Sequence, residues 1–344
     1  MAEEPAAMVR PRATVREVAD RTGLSIATVS RVLNGNARVA APTRERVLEA
    51  LIDLGSAAPF ARAGLRAGDA PIFVRCPYEL TDYFGLIVTA VAEELAARDR
   101  PMVLDAGESS QQRHPLGNLP LRVDCAGAIL ILPPEDTSEL TQLRRHGFPF
   151  VIVDPRTPPP TDSVVVSAAH LRGAQRLTEH LLELGHRRIG LLAGPDEWLA
   201  SRERLSGHVA ALGQAGMLQD PQLTQSIRPT IDEGRAAASR LLSQPEPPTA
   251  LVCFNDKVAV GALLSAQDAG LSVPEDLSIV GFDDSEISRV TRPDITTVRQ
   301  PLGELGRAGV AHLMRLIDGA PIDEVRVELS TRLIIRGSSG PPPA

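Results

Sequence analysis

Apolar residues change their period along this chain, and the change divides it into a head and a body. From Thr14 to Asn34 the sequence TVREVADRTGLSIATVSRVLN places them at helical spacing in two short segments. Val18 and Ala19 mark the inner face of a predicted helix over residues 15–22. Gly23 falls where the chain must turn through a left-handed conformation, and Leu24 plugs that turn. Ser25 then caps a second helix reaching Leu33, with Val29 and Val32 buried. Two steeply crossing helices need a small contact residue, which Ala19 supplies. Pro42 to Leu54 predicts a third helix, with Val47, Leu48, Leu51, Ile52 and Leu54 at helical spacing and proline in the first turn.

Once the inward positions are filled, Ser25, Ile26, Ala27, Thr28, Ser30 and Arg31 remain as an exposed face of the size that lies in a DNA major groove. The plainer alternative is a helical hairpin without that role. Beyond the third helix, GSAAPFARAGLRAGDAP is rich in Ala, Gly and Pro and reads as a linker, with a possible short helix from Phe60 to Arg66.

The body, from about Pro71 to Arg336, alternates apolar runs with amphipathic helices. Residues 72–74, 102–104, 128–132 and 150–153 form one series, and residues 188–192, 250–254 and 277–280 a second. Continuous apolar runs suit strands covered on both faces. The β-α rhythm in two blocks predicts an α/β body of two doubly wound lobes with parallel sheets, whose ligand would lie at the carboxyl ends of the strands. Bounds of 12–57 for the head, 58–70 for the hinge and 71–337 for the body follow. Lobe 1 covers about 71–167 and 302–329, and lobe 2 about 168–300 and 330–337. The glycine-, serine- and proline-rich tail, 338–344, and the first dozen residues are expected to be disordered.

Charge sharpens this division. The formal net charge is −7, yet residues 10–66 hold ten arginines against five acidic residues. A basic head on an acidic body suits phosphate neutralisation by one end of the molecule. No apolar run approaches the length of a membrane span, and no secretory signal opens the chain, so a cytoplasmic location is expected. Cys76, Cys125 and Cys253 lack metal or disulfide spacing and read as small core residues. The seven histidines show no metal spacing either, and His180 and His186 read as structural.

An enzyme is the rival class, since Asp283-Asp284 and Asn255-Asp256-Lys257 resemble catalytic groupings. No nucleophile elbow, zinc-binding helix, Walker loop or dinucleotide fingerprint accompanies them, and no cofactor is implied. A transport binding protein would share the two lobes but has no use for the head.

Residues 14–68 resemble the DNA-binding head and hinge of the lactose-repressor (LacI) family of bacterial regulators, in TVREVADRTGLSIATVSRVLNG, TRERVLEAL and the hinge ending in Leu65-Arg66. HLLELGHRRIGLLAGP, LVCFNDKVAVGALLSAQDAGLSVPEDLSIVGFDD and PDITTVRQPLGELG are similar to the family's effector domain, which is itself like periplasmic sugar-binding proteins. The resemblance implies a homodimer on pseudo-palindromic operator DNA. It adds Thr14 and Asn34 to the DNA-contacting set and makes Leu65 a wedge in the minor groove. It also implies effector contacts at Asp154, Arg204, Asn255, Asp283 and Gln300, with Tyr83 and Phe84 as an aromatic wall; helix capping or bracing of the lobes is the plainer role for the polar five. Trp198 is read either as a cleft residue or as loop packing. The implied ligand is a sugar or oligosaccharide that releases DNA. A co-repressing ligand such as a purine, or a small-molecule-binding protein without DNA release, is the alternative. The chain departs from the family pattern at Ser56, Ala58 and Pro59, at Ala40 in place of a serine cap, and at Gly64, which costs a hinge helix about 1 kcal/mol.

Overall fold

A computed structural model describes residues 13–33, 39–54, 70–110, 116, 119, 125–145, 147–322 and 324–343. The expectations for Asn34, for the hinge with Leu65 and for the first dozen residues lie outside them.

Three helices form the head: α1 (Val15–Thr22), α2 (Ile26–Leu33) and α3 (Ala41–Asp53). Their boundaries have local causes. Thr14 and Glu17 form a reciprocal capping box at the start of α1, and Gly23 closes it at φ 66°. Ser25 Oγ accepts from the Thr28 amide at 3.1 Å and so starts α2. Val18, Ala19, Val29, Val32, Val47, Ala50 and Leu51 make the small core, and Arg21 ties α1 to α3 through Asp53 at 3.0 Å. Leu54, expected within the third helix, falls just past its end at Asp53 and is 38% exposed.

Lobe 1 is a six-stranded parallel sheet in the order β11-β5-β4-β3-β1-β2. It comprises β1 (Ile72–Cys76), β2 (Met102–Ala106), β3 (Gly127–Ile131), β4 (Phe150–Val153), β5 (Val164–Ala168) and, from late in the chain, β11 (Arg326–Leu329). Helices α4 (Asp82–Ala96) and α5 (Thr137–Arg145) belong to this lobe. Lobe 2 is a four-stranded parallel sheet in the order β7-β6-β8-β9. Its strands are β6 (Ile189–Ala193), β7 (Thr224–Ser226), β8 (Ala250–Cys253) and β9 (Ser278–Val280), with helices α6 (His170–Glu183), α7 (Leu199–Gln214), α8 (Ile231–Leu242), α9 (Asp256–Asp268) and the short α10 (Ile287–Val290). Strand β10 (Thr297–Arg299) pairs antiparallel with β12 (Arg332–Ile334), and α11 (Leu302–Ile317) returns to lobe 1 against α4 and β4. The chain therefore crosses between lobes three times, after β5, after β10 and after β11.

Glycine permits the close helix pairs of lobe 2. A Cβ on Gly207 of α7 would lie 2.2 Å from the Leu171 carbonyl oxygen, and one on Gly261 of α9 would lie 2.2 Å from that of Ile231. Cys76, Cys125 and Cys253 are buried thiols. No helix among the described residues is long and apolar enough to cross a membrane.

The tail corrects the expectation of disorder. Ser338 is fully buried; its carbonyl accepts from the Ile279 amide at 2.8 Å, and its hydroxyl accepts from the Thr296 amide at 2.9 Å. His186 meets the Gly340 carbonyl at 2.9 Å and Ser278 at 3.0 Å, so the structural role expected of this histidine is tail anchoring. Small polar residues suit the narrow groove beside β9, where their backbone extends that strand's hydrogen bonding.

Candidate functional site

On the head, α2 presents Ser25, Ile26, Ala27 and Arg31 to solvent, with Thr28 and Ser30 half-buried. Ile26 is 50% exposed. The Arg31 guanidinium has no hydrogen bond or ion pair to another described residue. Thr14 is committed locally: its hydroxyl accepts from the Glu17 amide at 3.3 Å, and its own amide donates to the Glu17 carboxylate at 2.6 Å. That bonding holds the Glu17 carboxyl below the usual carboxylate range.

In the body, the strand ends converge on a cleft of about 370 Å³ between the lobes, lined by Tyr83, Phe84, Asp154, Arg204, Asn255 and Asp283 among others. Gln300 joins through Asp283, to which its amide donates at 2.6 Å. All seven expected body residues thus meet at one place. Two of them sit in strained backbone, Asp154 at φ 54° and Asp283 at φ 111°. Non-glycine residues hold such angles at a cost of roughly 1–3 kcal/mol, and they cluster at functional sites.

A polar chain crosses the cleft floor. The Tyr83 hydroxyl donates to one Asp154 oxygen in lobe 1. His170, the first residue of α6 in lobe 2, meets the other at 2.8 Å. Arg204 Nη2 approaches His170 Nδ1 at 3.3 Å and Asp283 at 3.6 Å. This geometry suits an imidazole carrying its proton on Nε2 and accepting at Nδ1. The Arg204 guanidinium lies over two rings, its Cζ 4.5 Å from the Phe254 centroid and 3.8 Å from that of Phe282. An arginine so placed keeps its fork oriented for paired hydroxyl or carboxylate oxygens.

The ionisation of these groups follows their surroundings. Burial pushes the Asp154 carboxyl up, but His170, Tyr83 and Arg204 outweigh burial and leave it below its usual value. Burial raises Asp283, against the pull of Arg204 and the Gln300 hydrogen bond, to about 6. Burial and then the Asp154 charge raise the Tyr83 hydroxyl well above its usual value, so it stays a donor.

The groupings that resembled catalysis have structural partners. Asp284 is bound by Arg289 at 3.0 Å, by Arg299 at 2.5 Å and by Arg336. Asp256 accepts from Thr297 at 2.6 Å and from the Ser285 amide at 2.7 Å. Asn255 Oδ1 caps α9 through the Val258 amide at 3.1 Å, the plainer role weighed for it, while the residue also lines the cleft.

His170, Tyr78, Phe254 and Phe282 carried no signal in the sequence. Tyr78 stacks on Phe84 with centroids 4.5 Å apart and planes at 6°. Trp198 lines the cleft and meets Phe254 edge-on at 6.1 Å, so it is more than loop packing. Its indole N–H is buried and has no partner among the described residues.

The model of the lacI family of bacterial regulatory proteins matches residues 14–55, and that of the periplasmic binding protein-like domain matches residues 178–339. The HTH-type transcriptional repressor CytR of Escherichia coli K12 is 33% identical over 333 residues, covering 95% of this chain and 96% of its own. The chain belongs to the LacI family. Two solved structures share this architecture. A complex of the transcriptional regulator CelR with cellobiose matches with a TM-score of 0.73 at 32% identity, covering 95% of this chain and 100% of its own. A Lac repressor dimer bound to operator and the anti-inducer ONPF matches with a TM-score of 0.71 at 27% identity, covering 96% of this chain and 100% of its own. As a LacI-family member the chain is a DNA-binding transcriptional regulator and not an enzyme.

Proposed function

We propose that this regulator is a cytoplasmic homodimeric repressor, released from a pseudo-palindromic operator by a sugar or oligosaccharide held between its lobes. The observation that carries the reading is the polar chain from Tyr83 through Asp154, His170 and Arg204 to Asp283, because it joins both lobes at the floor of the cleft. A ligand that donates to Asp154 and Asp283 and accepts from Arg204 bonds to both lobes at once. It therefore favours the closed arrangement by its differential affinity for it.

The cleft's chemistry suits a sugar. Its volume falls at the small end of the roughly 300–1,000 Å³ range of ligand sites, room for one or two rings. Tyr78 and Phe84 on one wall and Trp198 and Phe254 on the other offer ring faces to the apolar faces of a pyranose. Fixed donors and acceptors between them read hydroxyls: Arg204, Asn255, Asp283 and the unpartnered Trp198 indole. The CelR relative bound to cellobiose supports this class.

At the other end, two α2 helices of a dimer enter successive major grooves. Arg31 reads a guanine or a phosphate, and Ser25, Ile26, Ala27, Thr28 and Ser30 tune base choice by hydrogen bonding and shape. Thr14 and Asn34 position the phosphate backbone, and Leu65 wedges the central step. Closure of the lobes moves the heads apart and releases the DNA.

Thermal-shift screening of the full chain against neutral mono- and disaccharides tests the cleft assignment. One sugar should stabilise the wild type and leave Arg204→Met unmoved. Equal stabilisation of both proteins would place the ligand elsewhere.

A further inference from the structure

The two walls of the cleft differ in charge. Lobe 1 presents Glu79, Asp82 and Glu108. All three are exposed, and none has a hydrogen bond or ion pair through its carboxylate to another described residue. Asp154 and Asp283 bring the lining carboxylates to five, and only Arg204 and Lys257 oppose them. Arg204 is already shared with Asp283 at 3.6 Å, which leaves Lys257 as the uncommitted cation among the described lining residues.

Helix N-termini are the usual anion seats in such a cleft, since their free amides and dipole favour negative charge. Two of the helix starts that border the cleft carry polar side chains from within the chain. Asp82 is the first residue of α4, so a carboxylate occupies that turn. The Asn255 side chain takes the Val258 amide at the start of α9. A phosphate entering the cleft would meet five carboxylates.

We infer that the effector is an uncharged polyhydroxylated compound, a free sugar or glycoside, and that Glu79, Asp82 and Glu108 exclude phosphorylated forms of the same ring. The inference rests on the cleft being the effector site. Like charges brought together across an interface are a common device for rejecting wrong partners. The exclusion acts through exposed groups, so salt screens it.

Isothermal titration of the full-length protein with glucose, maltose and cellobiose, and with glucose 6-phosphate and the 6′-phosphates of the two disaccharides, tests this. The wild type should bind a neutral sugar and bind its phosphate at least about tenfold more weakly, with the gap narrowing from ~0.05 to ~0.5 M salt. The triple variant Glu79→Gln, Asp82→Asn, Glu108→Gln should keep the neutral affinity and recover about tenfold toward the phosphate. Its thermal melt checks that it folds. A phosphate bound as tightly as its neutral parent by the wild type overturns the exclusion and leaves the cleft reading standing. The same holds for a triple variant that keeps neutral binding but gains nothing for the phosphate. If neither protein binds any sugar, neutral or phosphorylated, the cleft reading fails, and the inference fails with it.

Discussion

Replacing Arg204 by methionine removes the cation from the centre of the interlobe polar chain while keeping an apolar stem against the two phenylalanine rings. Arg204 stands beside Asp283, whose carboxyl burial pushes up to about 6 even with the guanidinium present. Without Arg204 that carboxyl rises further. Each pKa unit of that rise costs the variant about 1.4 kcal/mol of folding stability at pH 7.5, where the wild-type carboxyl is ionised. The Phe254 carbonyl also loses its 2.5 Å hydrogen bond from Arg204, worth about 1 kcal/mol at any pH. A raised carboxylate pKa means that the folded state holds its proton longer than the unfolded chain. The linked stability is therefore present at low pH and is lost as pH rises through the folded pKa. Urea unfolding followed by circular dichroism should show the variant less stable by about 1 kcal/mol at pH 5.5 and by about 2 kcal/mol or more at pH 7.5. Arg204→Lys, which keeps the charge, should show little of this pH dependence. A gap equal at both pH values would refute the coupling of Arg204 to Asp283.

Other expectations follow from single contacts. Arg31→Ala should weaken operator binding in fluorescence anisotropy by at least about fivefold, given ~1–3 kcal/mol per base contact; unchanged affinity would remove Arg31 from the interface. Burial holds the His208 imidazole down at about 4, so it is neutral when folded and protonates first in the unfolded chain. Its stability contribution is present above pH 6.5 and is lost between pH 6.5 and about 4, about 3 kcal/mol in all. In His208→Gln the fall in melting temperature over that interval should be shallower, and parallel pH profiles would contradict the assignment. Truncation after Gly337 strips partners from the buried amides of Ile279 and Thr296 and should cost ~2–6 kcal/mol at about 1–3 kcal/mol each. An unchanged melting temperature would show that the tail is not part of the fold.

The head was legible because each of its boundaries has a local cause written in one or two residues: Thr14 with Glu17, Gly23 and Ser25. Strands of continuous apolar residues in the lobes were legible for the same reason. β7, with the sequence Thr-Gln-Ser, carries no apolar signal, and its sheet position comes from pairing with β6. β11, residues 326–329, lies in the lobe to which residues 302–329 were assigned, but its pairing with β5 at 164–168 is set by tertiary folding alone. In the cleft, polar residues at strand ends could be named from their motifs. His170 could not, because its role depends on Asp154 and on Arg204, 34 residues further along the chain. The tail misled because composition counts glycine, serine and proline as solvent-facing, whereas buried Ser338 and its neighbours found amides and carbonyls in a groove that fits small side chains.

Operator release tests the central claim most directly. DNA from upstream of the protein's own gene, labelled for fluorescence anisotropy, would be titrated with the full chain, with and without neutral mono- and disaccharides. The account predicts tight, salt-dependent binding that one sugar weakens at least tenfold by favouring the closed lobes. Binding that no sugar alters, or that a purine tightens, would contradict it.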